Sequence, residues 1–234
     1  MALEAAWPDR HPSYEMDPNP LSGTAGALRE AVPNLIGFLP WLDYVGVAVF
    51  AVTGALVGAK SRQDIVTCAF FAVLTGVGGG TVRDLLIGAR VFWIERSGYL
   101  EVCLIASVIV FILSTDRWPE RVLTWLDAIG LAVYCVIGTL KALAFGAGPV
   151  AAVAMGVATA SVGGIMRDVV AMRPSILLNR EFYITAAIAG SGVMVILLQF
   201  DVDKRAAGAM GALVAFCTRA GTILFGWKQP EKRG

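Results

Sequence analysis

The sequence predicts an all-α membrane protein: seven transmembrane helices, laid out as an inverted 3+3 repeat followed by a seventh helix. Three observations carry this. Composition sets the solvent, because 57% of the residues are hydrophobic and 16% are charged, against roughly 25% charged in soluble domains; the mean hydropathy is +0.70. Apolar runs of about the length that crosses a bilayer recur seven times along the chain. The first three of these runs return, in register, as the second three.

Residues 1–38 form a polar N-terminal tail rich in Pro and Asp, with no basic region leading into an apolar core, so they do not read as a cleaved signal peptide. Within and just beyond this tail, 21–39 reads either as a short amphipathic helix at the membrane interface or as disorder. The spans follow near 39–59, 65–88, 98–114, 125–145, 149–172, 182–200 and 206–226, all within a seven-helix unit over 39–226, and 227–234 is a C-terminal tail. Charges collect in the connections: Lys60, Arg62 and Asp64, then Arg90, Glu95 and Arg96, then Asp116, Arg117, Glu120 and Arg121. Between the fourth and fifth spans Gly146, Gly148 and Pro149 supply the break instead. Asp43 and Asp127 open spans 1 and 4 just after a Trp, which suits a charge at a helix N-terminus beside an interfacial anchor. Cys68, Cys103, Cys135 and Cys217 lie in apolar segments without paired spacing and read as buried thiols, neither metal ligands nor disulfides.

An odd number of spans puts the termini on opposite faces, and Lys and Arg decide which face is which. Arg10, Arg29, Arg90, Arg96, Lys204 and Arg205 stand on the N-terminal side, against Lys60, Arg62, Arg117, Arg121, Arg173, Arg180, Lys228, Lys232 and Arg233 on the other. The bias predicts a multi-pass protein of the cell inner membrane with its N-terminus outside and its C-terminus cytoplasmic. Lipid is the expected surrounding partner. The net charge of +1 gives no pointer to nucleic acid, and no nucleic-acid partner is expected.

The repeat is explicit in the residues. "WLDYVGVAVFAVTGAL" at 41–56 and "WLDAIGLAVYCVIGTL" at 125–140 are offset by 84, and the offset holds without a gap, giving 19 identities over the 67 positions of 41–107 against 125–191. Gly79 and Gly80 align with Gly163 and Gly164, Arg83 and Asp84 with Arg167 and Asp168, and Tyr99 with Tyr183. Repeat 1 covers about 41–114 and repeat 2 about 125–200; the helix at 206–226 has no partner and reads as an outer brace or oligomer contact. Because each repeat holds three spans, the second enters the membrane from the opposite face. Transporters use this plan recurrently, with permeation elements near the midplane where the halves meet.

Spans 2 and 5 carry "GVGGGTVRD" and "ASVGGIMRD" in equivalent places. Consecutive glycines weaken a helix, and a broken helix survives in lipid only where protein or a water-filled cavity satisfies the freed backbone groups. Gly78, Gly79, Gly80, Gly163 and Gly164 are therefore expected to mark kinks beside a cavity, where carbonyls replace part of a cation's hydration shell. The alternative is close helix packing at small residues. Arg83, Asp84, Arg167 and Asp168 follow directly, and each costs on the order of 3 kcal/mol to bury unpaired at a helix centre. Since adjacent helical residues do not face each other, the expectation is crossed pairing, Arg83 with Asp168 and Arg167 with Asp84; the alternative is Arg snorkelling from helix ends.

Lys141 lies about a turn from the end of span 4, where its repeat partner is Val57, so its charge is outside the shared scaffold. It reads either as a snorkelling Lys or as a pore or voltage charge. An enzyme is not expected, since the one histidine is His11 in the tail and no nucleophile–base set or metal cluster is visible; no cofactor is expected either.

Paired "GGTVRD" at 79–84 and "GGIMRD" at 163–168, in a duplicated three-span unit with a seventh span, resemble the prokaryotic trimeric intracellular cation (TRIC) channel family over about 40–226. The resemblance implies a homotrimer with one pore per protomer, lined by kinked second and fifth helices and conducting monovalent cations, chiefly K⁺, as the permeant ion, with lipid as a possible ligand. It implies that Gly78, Gly79, Gly80, Gly163 and Gly164 are the kinks, with Arg83, Asp84, Arg167 and Asp168 beside them and Lys141 the candidate voltage charge. Val162 stands where the third glycine of the second motif would be. Secondary transport of a small zwitterion such as glycine is the competing implication.

Overall fold

The computed structural model describes residues 39–61, 63–113, 118–173 and 183–226. They form eight helices: α1 (Leu39–Lys60), α2 (Ile65–Leu86), α3 (Phe92–Glu95), α4 (Gly98–Ile112), α5 (Glu120–Ala144), α6 (Pro149–Val170), α7 (Tyr183–Gln199) and α8 (Lys204–Phe225). Five of them, α1, α2, α5, α6 and α8, are long and apolar enough to cross a membrane, while α4 and α7 are shorter apolar helices of 15 and 17 residues. The one-turn α3 was not anticipated, and α5 begins at Glu120, five residues before the span expected from 125. The tails expected at 1–38 and 227–234, with the 21–38 part of the expected interfacial helix, fall outside the described residues.

Local chemistry explains the ends. Asp64 caps α2 by accepting from the Thr67 amide at 2.7 Å, and that backbone hydrogen bond holds its carboxyl below the usual carboxylate range. Gly148 precedes α6, whose first residue is Pro149, where the missing N–H is no loss. The C-termini of α2 and α6 repeat one another in detail. Ala89 N–H donates to the Asp84 carbonyl at 2.8 Å, and Arg173 N–H to the Asp168 carbonyl at 2.9 Å. Gly88 is left-handed at φ 68°, and its repeat partner Met172 adopts the same region at φ 51°.

Packing follows the duplication. α1 lies along α2 and α4 as α5 lies along α6 and α7, and the two halves meet through α1 against α5 and α2 against α6. Lipid-type side chains cover the outside, as at Ile105, Ile109 and Ile112 of α4. α8 packs on α7 and α5, where Gly190, Gly211 and Ala215 let the backbones approach. Cys68, Cys103 and Cys135 are buried free thiols as expected, but Cys217 of α8 is exposed, because it points away from that packed face.

Candidate functional site

α2 and α6 cross at the glycines. A methyl on Gly79 would overlap the Thr159 carbonyl oxygen of α6, and one on Gly163 would overlap the Thr75 carbonyl oxygen of α2. Gly79 and Gly163 are repeat partners, as are Thr75 and Thr159, so the contacts are exchanged by the pseudo-two-fold, and the helices run antiparallel. That antiparallel crossing is the inversion expected from three spans per repeat.

The expected break is not there. α2 is one continuous α-helix through Gly78, Gly79 and Gly80, and α6 is continuous through Gly163 and Gly164, with no positive φ at any of the five. Gly79 and Gly163 serve close approach of the two helices at the crossing. Gly78 faces the Met166 sulfur, Gly80 faces the Phe92 ring, and Gly164 lies near Asp127 and the Tyr183 hydroxyl with space to spare.

Charge gathers about one turn beyond the crossing, in two clusters near the C-terminal ends of α2 and α6. In the first, Arg83 Nε donates to Asp84 Oδ1 at 2.7 Å, Lys141 Nζ donates to the same oxygen at 2.8 Å, and Asp84 Oδ2 accepts from the Phe92 backbone N–H at 3.1 Å. The Arg83 guanidinium and the Lys141 ammonium also approach the Phe92 ring, at 5.7 and 6.0 Å from its centroid. Asp43 of α1 stands in the same electrostatic neighbourhood as Arg83, Lys141 and Tyr99. In the second cluster, Arg167 Nε donates to Asp168 Oδ1 at 2.9 Å, and its Nη1 donates to Asp127 Oδ1 at 3.2 Å and to Thr53 Oγ1 at 3.1 Å. Tyr183 stands beside Asp127, its hydroxyl and Asp127 Oδ1 both facing Gly164 and the hydroxyl donating to the Ala160 carbonyl of α6 at 3.5 Å.

Crossed pairing is therefore overturned: each Arg binds its own neighbour. Neighbours on a helix point roughly 100° apart, but an Arg side chain is long enough for its Nε to fold back across that angle, and the buried setting rewards it. Asp43 and Asp127 are also corrected. Both are buried, and Asp127 lies two turns inside α5, so they belong to the clusters and are not simple helix N-terminal charges. Lys141 reaches Asp84 from the opposite half with its side chain 22% exposed, the least buried of the ion-paired residues in either cluster.

Sequence reasoning missed Arg219, which α8 places fully inside the fold, its guanidinium 5.2 Å from the Tyr183 ring centroid and its Nη1 3.2 Å from Thr222 Oγ1. An arginine in the middle of an apolar span was the available signal. The absence of a repeat partner hid it.

Comparison with known proteins matches the duplication. The family model described as Glycine transporter fits this chain twice, over residues 40–115 and 124–199. The chain is 40% identical to the UPF0126 inner membrane protein YadS of Escherichia coli K12, over 81% of this chain and 94% of that protein. It is 32% identical to the UPF0126 membrane protein YvgT of Bacillus subtilis, over 82% of this chain and 95% of the relative. Among solved structures it resembles a TRIC trimeric intracellular cation channel orthologue from Rhodobacter sphaeroides, with 42% identity, a TM-score of 0.78 and coverage of 81% of this chain and 98% of that one. A second structure, described in connection with conductance through TRIC cation channels, matches at 27% identity and a TM-score of 0.73, over 83% and 97% of the two chains.

Proposed function

The chain belongs to the TRIC channel family, and from that premise we propose that it is a cation channel for monovalent ions, chiefly K⁺, working as a homotrimer with one pore per protomer. The observation that carries the reading is the pair of buried charge clusters flanking the α2–α6 crossing. Four buried acids and their cations are costly to hold in lipid and are retained for a hydrophilic path. The glycine contact leaves no space between α2 and α6 at their crossing, so the path runs beside it or opens by parting it. The reading places the protein in the cell inner membrane, N-terminus outside and C-terminus cytoplasmic, with lipid around the trimer. Balanced Arg and Asp give no net negative ring, so discrimination among monovalent cations is modest.

A second reading has its own observation. Arg83 Nη1 and Nη2 and Asp43 Oδ1 are buried without hydrogen-bond partners, and together they offer groups complementary to the carboxylate and ammonium of a small zwitterion such as glycine. Recording purified protein in planar bilayers under a KCl gradient separates the two. A reversal potential near the K⁺ equilibrium value supports the channel, whereas electrical silence with saturable glycine uptake into liposomes supports the transporter.

A further inference from the structure

The duplication gives both halves the same four residues: Asp43, Arg83, Asp84 and Tyr99 in the first, Asp127, Arg167, Asp168 and Tyr183 in the second. Their states differ. In the second cluster Arg167 spans both carboxylates and also reaches Thr53 across the pseudo-axis. In the first cluster Arg83 holds Asp84 alone, and its Nη1 and Nη2 and the Asp43 Oδ1 have no partner; the second cluster leaves Arg167 Nη2 and Asp127 Oδ2 without one as well, so the difference is the added hold of Arg167 on Asp127 and Thr53. The repeat partner of Thr53 is Ile137, which has no oxygen to offer.

Each cluster also imports one cation from outside its repeat scaffold. Lys141 reaches the first, partly exposed and on a flexible stem. Arg219 reaches the second, buried, with its guanidinium against the Tyr183 ring and hydrogen-bonded to Thr222 of its own helix. Tyr99, by contrast, is clasped by aromatic rings, stacked on Tyr44 at 4.0 Å and edge-on to Phe92 at 4.7 Å. Arg219 comes on α8, the one long helix without a repeat counterpart, seated at Gly190 and Gly211.

We infer that Arg219 is a positioning residue: it stands over the ring of Tyr183, whose hydroxyl donates to the Ala160 carbonyl of α6 at 3.5 Å, and through Tyr183 it locks the Arg167 cluster at the end of that helix, so that of two duplicated clusters only the first exchanges its ion pairs. α8 thereby makes a symmetric scaffold work asymmetrically. The inference rests on the transport reading only for what that exchange accomplishes; the lock itself is read without transport.

Hydrogen–deuterium exchange of the full-length protein in lipid nanodiscs tests it. In the wild type, backbone amides of 165–171 should exchange on the order of tenfold more slowly than their counterparts at 81–87. Arg219→Gln should bring 165–171 up towards the rate of 81–87 and leave 81–87 unchanged, while Arg219→Lys keeps the charge but not the planar stack and falls between. Equal protection of the two segments in the wild type overturns the inference, as does a folded Arg219→Gln protein with 165–171 unaltered. If Arg219→Gln does not fold, unchanged exchange in Arg219→Lys overturns it. Bilayer recordings add the functional step: open probability should depend on the sign of the voltage in the wild type and less so in Arg219→Lys. Altered exchange without that change leaves the lock standing and removes the transport reading from it.

Discussion

Gly79 of α2 packs directly on the backbone carbonyl of Thr159 in α6, and the pseudo-two-fold returns the contact as Gly163 on the carbonyl of Thr75. A carbonyl inside a continuous helix cannot swing away as a side chain does. The crossing thus tolerates hydrogen atoms and nothing larger.

Gly79→Ala and Gly163→Ala should each destabilise the protein by about 1–3 kcal/mol through overpacking. Gly164→Ala meets Asp127 Oδ1 at 3.4 Å, the Tyr183 hydroxyl at 3.6 Å and Arg167 Nη2 at 3.7 Å, all ordinary contacts, so it should be neutral or gain up to about 1 kcal/mol of helix propensity. Thermal unfolding in detergent, followed by size-exclusion fluorescence, orders the three. A Gly79→Ala protein as stable as Gly164→Ala would falsify the crossing as drawn.

Asp127 Oδ1 accepts from the Arg167 guanidinium while its Oδ2 has no partner, whereas at the equivalent acid Asp43 Oδ1 accepts from nothing. Breaking a buried pair by removing one partner costs roughly 3–5 kcal/mol. Asp127→Asn should approach that loss and Asp43→Asn should fall well short of it, although the repeat makes the two positions equivalent. Equal losses in denaturation midpoints would mean the two clusters are paired alike.

Ion pairing within each helix end also makes a statement about coupling. Arg83→Gln and Asp168→Asn should add to within about 0.5 kcal/mol, because Arg83 binds Asp84 and Asp168 binds Arg167, while Arg167→Gln and Asp127→Asn should be strongly non-additive. A double-mutant cycle on unfolding temperature checks both. Coupling between Arg83 and Asp168 would restore crossed pairing.

Lys141 is the cluster cation free to move, since Asp84 keeps Arg83 when the ammonium leaves. A unit charge crossing the full field gains roughly 2.3 kcal/mol per 100 mV, and a partial crossing proportionately less. Lys141→Gln should therefore flatten the dependence of open probability on voltage with little loss of stability. An unchanged curve assigns Lys141 to packing.

By itself the sequence determined the solvent, the helical class, the duplication with its offset of 84 and the residues that recur within it. These are legible because lipid demands apolar runs of fixed length and internal hydrogen bonding, and because a gapless offset exposes a repeat without any knowledge of contacts. Inversion followed from counting three spans. Only the tertiary structure decided what the recurring residues touch. Whether a glycine pair breaks a helix or seats a neighbour depends on what stands opposite it, and Thr75 and Thr159 stand there only after α2 and α6 have crossed. Whether Arg83 reaches Asp84 or Asp168 depends on side-chain length against the separation of the clusters, which no spacing along the chain records. Arg219 was the least legible, because Tyr183, whose ring it covers, comes from another helix and its own helix lies outside the repeat. Pairing is a property of distances in space: the sequence shows that Lys141 and Thr53 depart from the repeat, but not which cluster each of them reaches.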